Sequence, residues 1–362
     1  MPRQVLRIID ANLNRSSEGL RVLEDIARFL LNDAELRRRL RALRHELAQE
    51  TESLGVMPLS QRDSEHDSGR PYPSSRRELT AAKRTTAGLP DLVVANARRV
   101  EEALRVIEEV AKLPEISAKL NSAGFERIRF ALYGLEQDLV SRVSRREKTE
   151  RMAGLYVIVD RQFLGGRDEL NIASQIIEGG ARVIQLRDKQ SEKGELLLVA
   201  RRLKELCDRS GILLIVNDYL DIAMAVEADG LHVGQGDLPM PVIRRELPID
   251  SIVGCSVTTL SQAMEAENEG ADYIAVGSMF PTTTKKGVTV VGVGMLKDIK
   301  RTVATPLVAI GGINQSNVSE VVAAGADAVA VISDVLGKDD PKLAVEELIS
   351  RINSVKRECQ NQ

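Results

Sequence analysis

The sequence has few cysteines and no long apolar run. Its three cysteines, Cys207, Cys255 and Cys359, lie far apart without a CxxC pair, so neither a disulfide framework nor a structural zinc site is indicated. No stretch approaches the ~20 apolar residues of a membrane span, and the opening MPRQVLRIIDANLN lacks the apolar core of a signal peptide. We therefore expect reduced, incidental thiols and a cytoplasmic protein.

Charge of one sign is not in excess either. The formal net charge is −3, which gives no electrostatic reason to expect nucleic acid or an anionic membrane as a partner. Small molecules are the expected ligands. The first half contains neither a GxxxxGK[ST] nor a GxGxxG motif, so no nucleotide site is indicated there.

The chain carries two different hydrophobic periods. Residues 1–148 show apolar residues at i, i+3 and i+4, as in AELRRRLRALRHELAQ, which predicts helices. From Gly154 onward, short apolar runs alternate with helical segments and glycine turns, which is typical of parallel β/α units. We predict an N-terminal all-α domain over 1–148 and an α/β domain over 152–356, joined at the charged stretch SRVSRREKTER.

Eight apolar runs in the second half predict eight strands. With helices between them, they favour a (β/α)8 TIM barrel, and a doubly wound open sheet is the alternative. The predicted strands are Leu155–Asp160, Val183–Arg187, Ile212–Asp218, Gly230–Gly234, Ile252–Ser256, Tyr273–Gly277, Pro306–Gly312 and Ala328–Ser333.

Polar side chains follow nearly every predicted strand, and in a TIM barrel these ends meet at one mouth. Two carboxylates can hold a hard divalent cation while Arg and Lys bind phosphate oxygens, so the set suits a polyphosphate with Mg²⁺. The glycine pair 311–312 and the Ile332-Ser333 end indicate a second phosphate site. The groups are the cations Arg187, Lys189 and Lys285, the hydroxyls Ser256, Thr282 and Thr284, and the carboxylates Asp218 and Asp237.

Taken singly, some of these residues are equally compatible with a structural role. Asp218 could cap the helix that follows it, Lys189 could be solvated, and His232 fits a packed strand histidine better than a catalytic one. The loop PTTTKKG, residues 281–287, could be a soluble turn. Their occurrence together at several strand ends favours a binding site.

Residues 154–356 resemble the thiamine phosphate synthase family. This family joins a hydroxymethylpyrimidine diphosphate to a thiazole phosphate and releases pyrophosphate, so the resemblance implies a Mg²⁺-dependent transferase. The motifs that carry it, in family order, are VIQLRDK, IVNDYLDIAMAVEADGLHVGQGDLP, GCSVTT, DYIAVGSMFPTTTKKG, PLVAIGGIN and AVAVIS.

The resemblance also implies roles for individual positions. Arg187, Ser256 and Lys285 become the expected catalytic residues. The pyrimidine diphosphate would contact Gln185, Arg187, Lys189, Asn217, Ser256 and Lys285, the thiazole phosphate would contact Thr282, Thr284, Gly312, Ile332 and Ser333, and Mg²⁺ would bind Asp218 and Asp237.

Three departures from the family pattern bear on substrate preference. Asp188 stands where the family often has Glu, Cys255 precedes Ser256 in place of a small apolar residue, and Ser278-Met279-Phe280 replaces a proline and tyrosine pattern. Two alternatives to a synthase are a related thiazole tautomerase and a non-catalytic sensor of thiamine precursors. The combined basic and acidic set favours a pyrophosphate substrate.

The N-terminal half contains an internal repeat. ANLNRSSEGLRVLEDIA at 11–27 recurs as ANARRVEEALRVIEEVA at 95–111, with nine of seventeen positions identical. The repeat indicates either a shared polar site or a duplication without one. The recurring polar residues that could form such a site include Asn12, Arg15 and Glu18, repeated as Asn96, Arg99 and Glu102.

Between the repeats lies the polar loop RDSEHDSG, whose Asp63 and Asp67 are candidates for phosphate or Mg²⁺ binding. The two helices and this loop resemble a helical family, found alone or fused to thiamine phosphate synthases, to which hydroxymethylpyrimidine phosphate kinase activity is ascribed. The alternative is a helical oligomerisation or regulatory module, which would make the protein a homo-oligomer.

Overall fold

The computed structural model describes residues 3–55, 88–282, 284, 287 and 289–360. The chain divides into two compact units, Met1–Ser144 and Arg145–Gln362. The limits 1–148 and 152–356 for the domains stay a prediction. Within the described ranges, no helix combines the length and the apolar character needed to cross a membrane.

The described part of the first unit is helical. Asp33 accepts hydrogen bonds from the backbone N–H groups of Glu35 and Leu36, both at 3.0 Å, and so caps the second helix. The helices are α1 (Arg3–Asp25), which continues as a π-helical turn over Ile26–Leu30, α2 (Ala34–Glu50), a 3₁₀ turn over Glu52–Leu54, α3 (Leu89–Ala111) and α4 (Ser122–Arg151).

The two copies of the repeat, α1 and α3, pack directly on each other. Gly19 lies at their contact, where a Cβ atom would come within 2.5 Å of Val100 Cγ2. The absent side chain therefore lets the two backbones approach closely. The apolar stripe of each helix is buried at this contact and against the neighbouring helices.

A similar ion pair links each repeat helix to a later helix. Glu24 of α1 forms an ion pair with Arg44 of α2 at 2.8 Å, and Glu108 of α3 forms one with Arg129 of α4 at 2.9 Å. The two pairs occupy corresponding positions in the repeats to within one residue. Each repeat helix is thus joined by a Glu–Arg pair to a later helix.

The second unit contains a closed barrel of eight parallel strands in sequence order, with β8 pairing back to β1. The predicted TIM barrel is confirmed, and every predicted strand end lies within two residues of the observed one. The strands are β1 (Gly154–Asp160), β2 (Val183–Arg187), β3 (Leu213–Asn217), β4 (Gly230–Val233), β5 (Ile252–Val257), β6 (Tyr273–Val276), β7 (Leu307–Ile310) and β8 (Ala328–Val331).

Helices cover the outside of the barrel, and the alternating strand residues divide its core in two. Side chains such as Val157 and Ile184 pack outward against the helices, whereas Tyr156, Ile215 and Tyr273 point into the barrel. The helices are α5 (Glu169–Glu178), α6 (Lys193–Ser210), α7 (Leu220–Ala225), α8 (Met240–Glu246), α9 (Leu260–Asn268), α10 (Gly292–Thr302), α11 (Val318–Ala323), α12 (Ser333–Leu336) and α13 (Pro341–Gln360).

Candidate active site

A cavity opens at the carboxyl ends of the strands and collects the residues predicted for the barrel site. Lys285 lies outside the described residues, as do Asp63 and Asp67. The predicted residues that line the cavity are Gln185, Arg187, Lys189, Asn217, Asp218, Asp237, Ser256, Thr282, Thr284, Gly312, Ile332 and Ser333.

Arg187 is held by a carboxylate that the sequence pattern did not single out. Its Nη1 donates to Oδ2 of Asp160, the last residue of β1, which is 2% exposed. The other carboxylate oxygen, Oδ1, accepts from the backbone N–H of Gln162 at 3.0 Å. A charge-assisted contact to a buried, fixed partner gives the guanidinium one orientation at the cavity wall.

Lys189 and Asp218 form an ion pair across the ends of β2 and β3, with Nζ and Oδ2 3.0 Å apart. Asp218 has φ of 63°, in the left-handed region, and its N–H donates to the carbonyl of His232 at 2.8 Å. Helix α7 has Tyr219 at its N-cap and no side-chain cap. A capping role for Asp218 is therefore not supported, and the carboxylate faces the cavity.

Asp237 is the second acidic side chain at the mouth. Its Oδ2 accepts from the backbone N–H of Gly234 at 2.7 Å, which fixes the loop after β4. Among the described residues, no group of three or more His, Cys, Asp or Glu side chains is placed to hold a metal ion. Two carboxylates are nevertheless a sufficient protein contribution for Mg²⁺, which commonly takes its remaining oxygens from substrate phosphates and water.

Glycines shape the opposite side of the cavity. Gly311 and Gly312 have φ of 100° and 67°. A Cβ atom on Gly312 would lie 2.5 Å from the carbonyl oxygen of Pro281. Only glycine fits this close passage of β7 against the loop after β6, where the N–H of Thr284 donates to Oγ1 of Thr282 at 3.2 Å.

Three residues that line the cavity, Gln185, His232 and Ser256, belong to a chain of hydrogen-bonded side chains that runs through the buried Tyr156 and Tyr273. We call this chain the floor chain. Gln185 Nε2 donates to the Tyr156 hydroxyl at 2.7 Å, which lies 3.2 Å from the Tyr273 hydroxyl. That hydroxyl lies 3.0 Å from Nδ1 of His232, whose Nε2 lies 2.9 Å from Ser256 Oγ. His232 is buried, as expected for a strand histidine, and it also lines the cavity.

The departures from the family pattern have structural contexts, and in the third of them Ser278 Oγ donates to the carbonyl of Phe280 at 2.6 Å. Asp188 Oδ1 accepts from the N–H groups of Gln190 and Ser191, at 2.8 and 3.0 Å, and so shapes the turn after β2. Burial acts to raise the pKa of Asp188, but hydrogen bonds from Ser191 and Gln190 hold it below its usual value. Burial raises the pKa of Cys255 to about 11, so this thiol stays protonated.

The repeated polar residues of the first unit form matching contacts. In each copy the Asn Nδ2 donates to the carbonyl four residues earlier at 2.8 Å, from Asn12 to Ile8 and from Asn96 to Leu92. Each Asn Oδ1 then accepts from the Arg three residues later at 3.3 Å. These contacts bring Asn and Arg together within each helix, and the Arg and Glu members are exposed. They are Arg15, Glu18, Arg99 and Glu102.

A closed parallel barrel with cations, carboxylates and glycine turns around one mouth defines a TIM-barrel enzyme that acts on phosphorylated small molecules. Residues 155–335 match the thiamine monophosphate synthase family. The chain belongs to this family. Residues 7–138 match the ThiD2 family, so both resemblances found in the sequence are confirmed.

Some relatives match nearly the whole chain, and others match only the part that contains the barrel. A thiamine-phosphate synthase of Nostoc sp. is 36% identical in an alignment that covers 98% of this chain and 96% of that relative. A thiamine-phosphate synthase of Thermosynechococcus vestitus is 37% identical in an alignment that covers 97% of this chain and 96% of that relative. A thiamine phosphate pyrophosphorylase structure from Pyrococcus furiosus has a TM-score of 0.53 and 39% identity. The alignment covers 57% of this chain and 98% of the chain in that structure.

Proposed function

We propose that the barrel joins a hydroxymethylpyrimidine diphosphate to a hydroxyethylthiazole phosphate and yields thiamine phosphate and pyrophosphate. The observation that carries this proposal is the single cavity in which Arg187, Lys189, Asp218 and Asp237 meet. Two cations and two carboxylates at one mouth suit a diphosphate better than the single phosphate of a tautomerase substrate.

In this reaction the protein has to stabilise the charges that develop, and it does not have to supply a nucleophile. The C–O bond to the diphosphate breaks, with its electron pair leaving on pyrophosphate, and the aminopyrimidine stabilises the methylene cation that remains. The thiazole nitrogen then donates its lone pair to form the C–N bond. Arg187, Lys189 and Lys285 act on the leaving group, because they neutralise negative charge that grows in the transition state.

We infer the positions of the two substrates from the residues that line the cavity. Gln185, Asn217 and Ser256 would hold the pyrimidine above the floor chain. Thr282, Thr284, Gly312, Ile332 and Ser333 would hold the thiazole phosphate on the glycine-lined side. This arrangement would put the reacting carbon and nitrogen between the two walls and away from the helices.

Mg²⁺ is the proposed cofactor, held by Asp218 and Asp237. When bound together with the diphosphate, it would supply further positive charge on the leaving oxygens. The carboxylate pair fits this role, because both groups face the cavity and both offer the hard oxygen ligands that Mg²⁺ prefers.

We propose further that residues 1–148 form a separate domain that makes the diphosphate from the pyrimidine monophosphate. The match of residues 7–138 to the ThiD2 family supports this second activity. A helical oligomerisation module is the alternative, and it requires no ATP.

One assay in two formats tests both proposals. The full-length protein is given Mg²⁺ and thiazole phosphate, together with either the pyrimidine diphosphate or the pyrimidine monophosphate plus ATP. Thiamine phosphate in both formats is the expected result. Product from the diphosphate alone would refute the kinase proposal, and product from neither would refute the synthase.

Variants test the assigned residues. Asp218→Ala and Lys285→Ala should each lower condensation by at least about tenfold, as removal of a group that orients bound metal or phosphate does. Asp298→Ala and Lys297→Ala change the same residue types on the exposed surface of α10 and should leave the rate unchanged. Near-normal turnover in the first two variants would overturn their roles.

A further inference from the structure

The hydroxyl protons of the floor chain cannot be placed independently of each other. Each tyrosine hydroxyl has one proton to donate. With Gln185 Nε2 as the donor to Tyr156, the remaining contacts require Tyr156 to donate to Tyr273, and Tyr273 to donate to Nδ1 of His232. A neutral His232 then carries its proton on Nε2 and donates it to Ser256 Oγ.

This order decides what the two ends of the floor chain offer to a ligand. Ser256 already accepts from His232, so its own hydroxyl proton is left to donate into the cavity. The amide nitrogen of Gln185 donates to Tyr156, so its amide oxygen remains available to accept a hydrogen bond from a ligand. The site thereby offers an acceptor at Gln185 and a donor at Ser256, both of which line the cavity.

We propose that Tyr156, Tyr273 and His232 are positioning residues that fix this polarity and select an aminopyrimidine over its oxo counterpart. The proposal rests on the proposed function of the barrel. An aminopyrimidine presents an amino donor beside a ring nitrogen acceptor, which matches Gln185 and Ser256. An oxo analogue presents an acceptor beside a ring N–H and mismatches both ends.

The surroundings of the tyrosines support a fixed order. Tyr156 and Tyr273 are 1% and 0% exposed, so water does not compete for their hydroxyls. Burial raises the pKa of both tyrosines well above the ordinary value, and the hydroxyls therefore keep their protons at neutral pH. Gly254 on β5 leaves room for the Tyr273 ring, because a Cβ atom there would lie 2.0 Å from Tyr273 Cζ.

The tautomer of His232 can be measured without any ligand. The chain has three histidines, so a His45→Gln/His66→Gln background leaves His232 as the one nitrogen-15 reporter in NMR spectra. We expect a neutral ring with its proton on Nε2. In the same background, Tyr273→Phe removes the donor to Nδ1 and should produce a mixture of the two tautomers.

Two further variants make this result decisive. Tyr156→Phe interrupts the floor chain one step earlier and should shift the tautomer in the same direction, which covers the case in which Tyr273→Phe does not fold. Tyr133→Phe removes a tyrosine hydroxyl in the first unit and should change nothing. A proton on Nδ1 in the unsubstituted ring, or unchanged spectra in both floor variants, would overturn the proposal.

Ligand selection is measured by calorimetry with Mg²⁺ and either the aminopyrimidine diphosphate or its oxo analogue. The unsubstituted protein should prefer the amino compound by roughly 100-fold, because the analogue leaves both Gln185 and Ser256 without a matching hydrogen-bond partner. Tyr273→Phe should reduce this preference to about tenfold or less, and an unchanged preference would contradict the selective role. Failure of both compounds to bind would refute the proposed function, whereas the tautomer result would still decide the polarity.

Discussion

Asp160 and Arg187 end neighbouring parallel strands, and the buried carboxylate of the first fixes the guanidinium of the second. Asp160→Asn should lower kcat/KM for the diphosphate by roughly 10- to 100-fold, because it removes the charge from a hydrogen bond to a charged group. Steady-state kinetics with varied diphosphate check this expectation.

The matched control is Asp168→Asn. Asp168 lies in the same connection between β1 and α5, but its Oδ1 accepts from the N–H of Asn171 at 2.9 Å as a helix cap. This variant should leave kcat/KM unchanged. Equal losses in the two variants would mean that Asp160 acts only through stability.

Gly254→Ala should destabilise the barrel by about 1–3 kcal/mol, because the new methyl group overlaps the buried ring of Tyr273. Urea unfolding followed by circular dichroism gives the free energy of unfolding. Gly194→Ala, at the start of α6, meets no atom within 4 Å and should stabilise the helix by about 0.5–1 kcal/mol. Similar effects from the two substitutions would argue against the overlap.

The two Glu–Arg pairs of the helical repeats differ in burial. The side chains of Glu108 and Arg129 are 3% and 11% exposed, compared with 12% and 36% for Glu24 and Arg44. Arg129→Met should cost about 1.5–3 kcal/mol, because Oε2 of the buried Glu108 loses both hydrogen bonds from the guanidinium, whereas Oε1 keeps Arg105 and Lys112.

Arg44→Met is the comparison, and its cost should be smaller because solvent reaches the carboxylate that remains. Thermal and urea unfolding measure both variants. The double variant Glu108→Gln/Arg129→Met should recover part of the stability that Arg129→Met loses. Equal costs for Arg129→Met and Arg44→Met would contradict the difference in burial.

Glu101 should make the stability of the first unit depend on pH. Burial and the neighbouring Glu136 raise the pKa of Glu101 from 4.5 to about 7 in the folded protein. The folded state therefore favours the neutral carboxyl, a contribution that is complete below pH 4.5 and lost as the pH rises through 7.

Unfolding by urea at pH 5 and pH 8 tests this dependence. The protein should lose stability between the two values, and Glu101→Gln should reduce that loss because the amide stays neutral throughout. Glu109→Gln, at an exposed position on the same helix, is the control. Identical losses in the Glu101→Gln variant and the unsubstituted protein would refute the raised pKa.

The barrel was predictable because its strands are buried on both faces and end in glycine or polar residues. Val183–Arg187, which ends in Arg187, and Tyr273–Val276, which is followed by Gly277, therefore have clear limits. The polar residues at the strand ends indicated the cavity, since parallel strands deliver their carboxyl ends to the same mouth. Asp160 was not predicted as a site residue, although it ends β1 in the same way. Its position at a strand end could have indicated a role in the site.

The floor chain could not be predicted from the same pattern. Tyr156 and Tyr273 lie in strands that are otherwise apolar, and a tyrosine there is equally compatible with simple packing. Their partners lie on other strands, so the contacts depend on barrel closure and register. The pairing of Glu24 with Arg44 could not be predicted either, because the visible repeat includes Glu24 but ends before the helix that carries Arg44.

Ordered protons across the barrel floor also have an electrical consequence. If every donor points from Gln185 towards Ser256, the bond dipoles add up, with the negative end at Gln185. The proposed reaction builds positive charge on the pyrimidine ring, and the amino group takes up part of that charge. The interior of the barrel would therefore provide a fixed field that favours ionisation of the substrate, with no side chain changing its charge.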